Sequence, residues 1–168
     1  MWDFIMKGEP SAFRLIHCKC GYSLMQEVSY FYLNPEIIAK DGFKNLQEAV
    51  IDKWENALAS NCECGQKPLE SLKLNAHIFI DGDVRSLDGK ETPQMCNALE
   101  LPNYITLYGL KFRLTGVVIY DESLSHYTAL CTTKYKNWEI YDDLNSKVTA
   151  VNKKHIQPGG IIYIQIQG

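Results

Sequence analysis

The chain has 168 residues, of which 46% are hydrophobic and 22% are charged, and its formal net charge is −3. These values are typical of a folded globular domain, and they exclude the basic surface of a nucleic-acid-binding protein or a polybasic membrane patch. No apolar run approaches the roughly 18 residues of a membrane span, and the N-terminus lacks a basic segment followed by an apolar one. We therefore expect one globular domain in the cytosol or the nucleus.

The first half of the chain alternates cysteine-rich turns with regular elements. A Cys-x-Cys-Gly motif at residues 18–21 is followed by an extended stretch from Ser23 to Leu33 that is rich in tyrosine, phenylalanine and valine. Residues 45–59 form the strongest predicted helix, because apolar side chains recur every fourth residue from Leu46 to Leu58. A second Cys-x-Cys-Gly motif follows at residues 62–65.

The two motifs hold four of the six cysteines in the chain. Without a secretory signal such thiols stay reduced, and their pairing is more typical of metal ligands than of disulfides. Four thiolates can close a tetrahedral zinc site, and their softness favours zinc over calcium or magnesium. The predicted ligands of a structural zinc ion are Cys18, Cys20, Cys62 and Cys64. Two alternatives stay open, namely four reduced cysteines without a metal, and His17 in place of one thiolate.

The second half of the chain is predicted to be mainly strands. The candidates are Leu72–Ile80, Lys111–Tyr120, Tyr127–Thr132, Trp138–Tyr141, Lys147–Val151 and Gly160–Ile166. Residues 81–102 look like a loop, because glycine and proline interrupt them. One clear helix among several closely spaced strands predicts an α+β domain dominated by antiparallel sheet.

A histidine and two aspartates in this half suggest a reactive site. His126 opens one predicted strand, and Asp142 and Asp143 follow the end of the next one. Antiparallel pairing of these strands would bring His126 and Asp142 together. An aspartate beside a histidine fixes its tautomer and orientation, which is the base-and-orienter half of a thiol protease site. The alternative is a structural histidine beside a turn with solvated carboxylates.

The complete pattern resembles the histidine box of the ubiquitin-specific proteases, which are papain-like deubiquitinases. The matching positions are Phe112, Leu114, Gly116–Val118, His126–Ala129, Trp138, Tyr141–Asp143 and Val148. The cysteine pairs resemble those at the tips of the fingers of this family, with the helix at 45–50 between them. The resemblance implies a partial papain-like fold in one domain, 1–168, with zinc-binding fingers at about 13–70 and a mainly antiparallel β palm at about 71–168. It also implies catalytic roles for His126, Asp142 and Asp143.

Two departures from the family pattern matter. The family usually has glycine immediately before the histidine, where this chain has Ser125. Nothing before Cys18 resembles the Gly-x-x-Asn-x-Gly-Asn-Thr-Cys type of box that carries the nucleophile, so the catalytic set is expected to be incomplete. Cys96 precedes His126 in the right order, but no glycine-rich turn or helix start frames it as a nucleophile. Cys131 is expected to be a small buried side chain.

Three functions are compatible with these features. The first is a catalytically incomplete module that binds or scaffolds a protein, such as ubiquitin or a ubiquitin-like modifier, with self-association as a further possibility. The second is part of an active cysteine deubiquitinase whose nucleophile comes from other sequence. The third is a zinc-stabilised protein-interaction domain with no connection to ubiquitin.

Overall fold

The computed structural model describes residues 6–56, 62–85, 92–121, 123–133, 137–151 and 155–166. It confirms the α+β class, since antiparallel strands dominate and one helix is clearly the longest. The strands are β1 (Ala12–His17), β2 (Ser23–Val28), β3 (Leu69–Leu74), β4 (His77–Asp81), β5 (Cys96–Asn97), β6 (Tyr104–Leu107), β7 (Leu110–Asp121), β8 (His126–Thr132), β9 (Trp138–Tyr141), β10 (Thr149–Val151), β11 (His155–Ile156) and β12 (Pro158–Gln165). The helices are α1 (Pro35–Asp41) and α2 (Leu46–Asn56), and short 3-10 turns cover Phe43–Asn45 and Ala98–Glu100.

A three-stranded antiparallel sheet has the order β2-β1-β3. His17, the last residue of β1, lies opposite Ser23 of β2 and Leu69 of β3. The turn between β1 and β2 and the segment leading into β3 therefore meet at the same end of the sheet. These are the two segments that contain the cysteine motifs.

A seven-stranded antiparallel sheet has the order β10-β9-β8-β7-β12-β4, and β6 also pairs with β7. The long strand β7 organises this sheet, because β6, β8 and β12 all pair with it. The pairing of β8 with β7 and β9 fixes the positions of His126 at the start of β8 and of the chain that leaves β9 at Tyr141.

Both helices contribute to the buried side of the seven-stranded sheet. Val117 pairs with Leu130 on one side and Ile161 on the other, and all three side chains are buried. Ile38 of α1 and Leu46 and Val50 of α2 belong to the same buried cluster. Burial of each large apolar side chain contributes roughly 1.5–3 kcal/mol. This packing anchors β7, β8 and β12 in the core, and β9 is joined to β8 by antiparallel pairing.

The structure corrects several predicted boundaries. The predicted strand Leu72–Ile80 is two strands in different sheets, separated at Asn75, whose side chain donates a 2.7 Å hydrogen bond to the Pro10 carbonyl. The extended stretch from Ser23 is a strand only as far as Val28. Helix α2 begins at Leu46 and its described part ends at Asn56, and residues 57–59 of the predicted helix lie outside the described residues.

Helix α1 was not predicted, although its start carries a clear signal. Asn34 caps it by accepting a 2.9 Å hydrogen bond from the Glu36 amide, and Pro35 occupies the first turn. Asparagine followed by proline is a typical helix start. Within the described residues, no helix is long and apolar enough to cross a bilayer.

Candidate functional site

The two cysteine motifs form turns with the same hydrogen-bonding pattern. In the first turn the Cys18 amide donates to the Tyr22 carbonyl (2.8 Å), and the Gly21 amide donates to the Cys18 carbonyl (2.9 Å). In the second turn the Cys62 amide donates to Gln66 (2.9 Å), and Gly65 donates back to Cys62 (2.7 Å). The φ angles of Gly21 and Gly65 are 95° and 81°, which is the left-handed region that glycine tolerates.

The four predicted zinc ligands come together at the tip of the three-stranded sheet. The Sγ atoms of Cys18 and Cys64 lie 3.5 Å apart, and those of Cys20 and Cys62 lie 3.7 Å apart. All four Sγ atoms lie within 4.8 Å of one another. A tetrahedral ion with Zn–S bonds of about 2.3 Å needs sulfurs about 3.8 Å apart, so the cluster fits zinc closely. Cys18, Cys20, Cys62 and Cys64 form a potential zinc site.

Backbone amides in both turns support thiolate ligands. A hydrogen bond from the Tyr22 amide, followed by contacts with neighbouring thiols, lowers the pKa of Cys20 to about 7. The Gln66 amide favours the thiolate of Cys64 in the same way, but contacts with the other thiols, first that of Cys18, raise the pKa of Cys64 to about 12. Thiols this close cannot all ionise without a cation between them. A divalent metal ion would remove that repulsion and allow four thiolates.

A zinc ion here would be structural, because four sulfur ligands leave no position for a catalytic water. His17 takes no part in the cluster, since its Nδ1 atom lies 2.6 Å from the Ser23 hydroxyl. The cluster also joins the β1–β2 turn to the segment before β3. Strand pairing alone would leave these two segments unconnected at this end of the sheet.

The structure brings His126 and Asp142 together, as the strand order predicts. The imidazole Nε2 lies 2.8 Å from Asp142 Oδ1, and both side chains are 19% exposed. An ionised carboxylate can only accept, so the hydrogen bond places the proton on Nε2. The lone pair then lies on Nδ1, which is the state that a general base requires.

Among the residues that the structure describes, three donors hold the Asp142 carboxylate. Oδ1 accepts from the imidazole and from the Leu144 amide (3.0 Å), and Oδ2 accepts from the Asn145 side chain (2.6 Å). The hydrogen bond with His126 and then that with the Leu144 amide lower the pKa of Asp142. The carboxylate is therefore ionised and fixed in orientation at neutral pH.

Asp143 and Ser125 complete the surroundings of the imidazole. Asp143 Oδ1 lies 3.4 Å from Nε2, and its side chain is 84% exposed. Ser125, immediately before the histidine, has a φ of 49°. The backbone at this position thus keeps the left-handed conformation that glycine would adopt without strain. Asp121 stabilises the same turn by accepting hydrogen bonds from the amides of Ser123 (2.9 Å) and Leu124 (3.2 Å).

An open cleft lies against this pair, and its volume is within the range of small-molecule sites. The cleft volume is 590 Å³, and His126, Asp142 and His155 line it together with apolar side chains such as Ile119 and Met95. A second groove, of 510 Å³, lies on the face of the three-stranded sheet that carries Ile16 and Leu24.

Neither remaining cysteine is placed to act as a nucleophile on the His126 base. Cys96 is 3% exposed, and burial followed by the charge of Glu100 raises the pKa of its thiol to about 12. Cys131 lies on β8 five residues after His126, so the two side chains point to opposite faces of the sheet. Cys131 is half-buried and not fully buried as predicted, and this partial burial, followed by the charge of Glu139, raises the pKa of its thiol. Within the described residues, which include all six cysteines, no hydrogen bond joins a thiol to His126.

Asn145 is the site residue that the sequence patterns did not indicate. Its position three residues after Asp142 gave no signal, because an asparagine in a polar loop is ordinary turn chemistry. Only the folded loop shows that its amide holds the carboxylate.

No protein-family model matches the chain, and no curated protein matches its sequence. Solved structures do match. The SAGA Ubp8/Sgf11/Sus1/Sgf73 DUB module has 16% identity over 94% of this chain and 37% of the matched chain, with a TM-score of 0.55. The same module bound to monoubiquitin has 16% identity over 93% of this chain and 40% of that one, with a TM-score of 0.53. Yeast SAGA DUBm with an Sgf73 mutant has 19% identity, 94% and 41% coverage, and a TM-score of 0.54.

At these identities the likeness shows the fold alone. The chain therefore shares the fold of the matched part of these DUB-module structures. It spans about two fifths of the length of the matched chains, which cover it almost completely in return.

Proposed function

We propose that this chain binds ubiquitin or a ubiquitin-like modifier and does not hydrolyse it by itself. The observation that carries the proposal is the His126–Asp142 pair in a deubiquitinase-like fold, 2.8 Å apart and without a thiol on the imidazole. The base and its orienting carboxylate are present, but an attacking thiolate is a separate requirement of this chemistry. Members of such a catalytic set act as a unit, so hydrolysis by this chain alone should be negligible.

The groove on the three-stranded sheet is the proposed binding surface. Ile16 and Leu24 give it an apolar floor, and the ion pair between Arg14 and Glu70 borders it. Leu24 and Met25 are neighbours in β2 that point to opposite faces, because side chains alternate along a strand. Leu24 lines the groove, whereas Met25 is 64% exposed and does not line it.

This arrangement provides a matched test. Ubiquitin binding is measured by calorimetry with the zinc-loaded chain and with the variants Leu24→Asp and Met25→Asp. Binding that is weakened at least tenfold by Leu24→Asp and left unchanged by Met25→Asp supports the proposal. If neither ubiquitin nor a ubiquitin-like modifier binds at hundreds of micromolar, the proposal is wrong. The chain would then be interpreted as a zinc-stabilised interaction domain with no connection to ubiquitin.

Catalysis is tested separately with a ubiquitin derivative that carries a C-terminal electrophile. The chain should form no adduct under conditions where an active thiol deubiquitinase reacts completely. An adduct that disappears in Cys96→Ala would overturn the inactive part of the proposal, because it would identify Cys96 as a competent nucleophile.

A second candidate function is the base-bearing part of an active cysteine deubiquitinase, whose nucleophile comes from other sequence. The Nδ1 atom of His126 favours this candidate, because Asp142 occupies Nε2 and no residue in the described part of the chain hydrogen-bonds to Nδ1. A longer chain from the same coding sequence would then cleave ubiquitin conjugates, and His126→Gln would abolish the cleavage. In either case the reduced thiols of the cluster fit a cytosolic or nuclear protein, which is the setting we propose.

A further inference from the structure

His126 faces two carboxylates with one nitrogen atom. Asp142 Oδ1 lies 2.8 Å from Nε2, and Asp143 Oδ1 lies 3.4 Å from the same atom. A single N–H group can satisfy only one acceptor well, and Asp142 takes it. Among the described residues, Asp143 has no hydrogen bond to any other donor, so its negative charge lies beside the pair without a partner of its own.

We propose that His126, Asp142 and Asp143 bind a divalent transition-metal ion such as zinc, at a site separate from the four-cysteine cluster. One imidazole nitrogen and two carboxylate oxygens form a donor set that suits zinc and its first-row neighbours. The three ligand atoms all lie within 4.8 Å of one another. Tetrahedral ligands at about 2.1 Å from an ion lie about 3.4 Å apart. Asp143 Oδ1 already lies 3.4 Å from Nε2, whereas Asp142 Oδ1, at 2.8 Å, must move away from the imidazole by about 0.6 Å.

The positions of the three ligands favour capture of an ion from solution. His126 and Asp142 are partly buried at fixed ends of β8 and β9, whereas Asp143 is 84% exposed and can adjust to an incoming ion. The 590 Å³ cleft beside the imidazole leaves room for water in the remaining coordination position. The arrangement therefore combines two oriented ligands with one adaptable ligand.

Metal binding would change the tautomer of His126. A metal ion takes the lone pair of Nε2, and a neutral imidazole then carries its proton on Nδ1, so no net proton is gained or lost by the ring. The lone pair on Nδ1 that would accept a proton from a nucleophile disappears. One consequence rests on the proposed function. If the chain is the base-bearing part of a thiol protease, the metal ion would reversibly inhibit the enzyme by occupying its base.

The test is a calorimetric titration of zinc alone into the full chain after one equivalent has filled the cysteine cluster. A second equivalent should bind per chain. Asp143→Asn should weaken that step at least tenfold, and His126→Gln should remove it. His155 provides the matched control, because it lines the same cleft but lies outside the ligand cluster, so His155→Gln should leave the second step unchanged.

Imidazole nitrogen NMR provides a second measurement, because it reports which ring nitrogen carries the proton. A variant that only disturbed the local structure would not transfer that proton. The proton of His126 should reside on Nε2 before the second equivalent and on Nδ1 after it. The proposal would be overturned if no second binding step occurred below about 1 mM zinc. It would also be overturned if both ligand variants bound the second equivalent with the affinity of the parent chain. The titration uses no ubiquitin, so its outcome is independent of whether the chain binds that modifier.

Discussion

The side-chain amide of Asn145 donates a 2.6 Å hydrogen bond to Oδ2 of Asp142, while Oδ1 of the same carboxylate faces His126. Asn145 thus holds the outer oxygen and turns the inner oxygen toward the imidazole. We regard it as a positioning residue, since it acts on His126 only through Asp142.

Asn145→Ala should loosen the His126–Asp142 pair. The lost hydrogen bond helps to lower the pKa of Asp142, so the pKa of Asp142 should be higher in the variant than in the parent chain. Loss of this charge-assisted hydrogen bond should also leave the carboxylate less firmly oriented toward His126. Carboxyl-carbon NMR titration measures the pKa. Asn137→Ala is the control, and an equal change in both variants would contradict the assigned role.

Removal of zinc should destabilise the three-stranded sheet. Cys62→Ala should weaken metal binding at the cluster strongly, because three thiolates leave the fourth position of the tetrahedral site to water. At free zinc about a thousand times above the dissociation constant, bound metal contributes about 4 kcal/mol to the free energy of unfolding. Elemental analysis and thermal unfolding check both effects.

Cys131→Ala is the matched control for this experiment, since Cys131 lies outside the cluster. It should hold zinc at the four-cysteine cluster as strongly as the parent chain does. Equal zinc content in the Cys62 variant and the parent chain would show that the four thiols do not hold the ion.

Gly160→Ala should destabilise the seven-stranded sheet. A Cβ atom at this position would lie 2.3 Å from Cζ of Phe79, far inside van der Waals contact. Such overpacking costs typically about 1–3 kcal/mol. The cost should fall markedly in the background of Phe79→Leu, where the ring edge is gone, and a double-mutant cycle in urea measures that coupling. Strictly additive effects would show that the two residues do not interact.

Ser125→Gly should stabilise the turn before His126. The φ of Ser125 is 49°, and a left-handed conformation costs an ordinary residue about 1–2 kcal/mol. Glycine relieves that strain, although its greater freedom in the unfolded chain offsets part of the gain. We expect the free energy of unfolding to rise by about 0.5–1 kcal/mol. Ser146→Gly, at an exposed position without a positive φ, should not stabilise the protein.

Cys96 should resist alkylation while the protein is folded. With a thiol pKa raised to about 12 by burial, only about one thiol in ten thousand is ionised at pH 8. Iodoacetamide at pH 8 should therefore modify Cys96 only after unfolding, as mass spectrometry of digested protein can show. Rapid modification of the native chain at Cys96 would contradict both its burial and its exclusion as a nucleophile.

The local chemistry of this protein could be predicted from short stretches of sequence. The Cys-x-Cys-Gly motifs indicated metal-binding turns, because the glycine after each pair must adopt a positive φ. The four-residue spacing of Leu46, Val50 and Trp54 predicted helix α2, since one turn of helix sets that period. Asn34 and Pro35 carry an equally local signal for α1, although the aromatic residues just before them favour an extended segment.

Only the tertiary structure decided which distant groups meet. The break at Asn75 separates β3 from β4 because their partners lie in different sheets, and no periodicity within Leu72–Ile80 records that. The 3.5 Å approach of Cys18 to Cys64 depends on the register of three strands. The contact of Asn145 with Asp142 depends on the path of one loop. Sequence periodicity reports which face of an element is buried, whereas these contacts follow from strand register and loop closure, to which residues far apart in the chain contribute together.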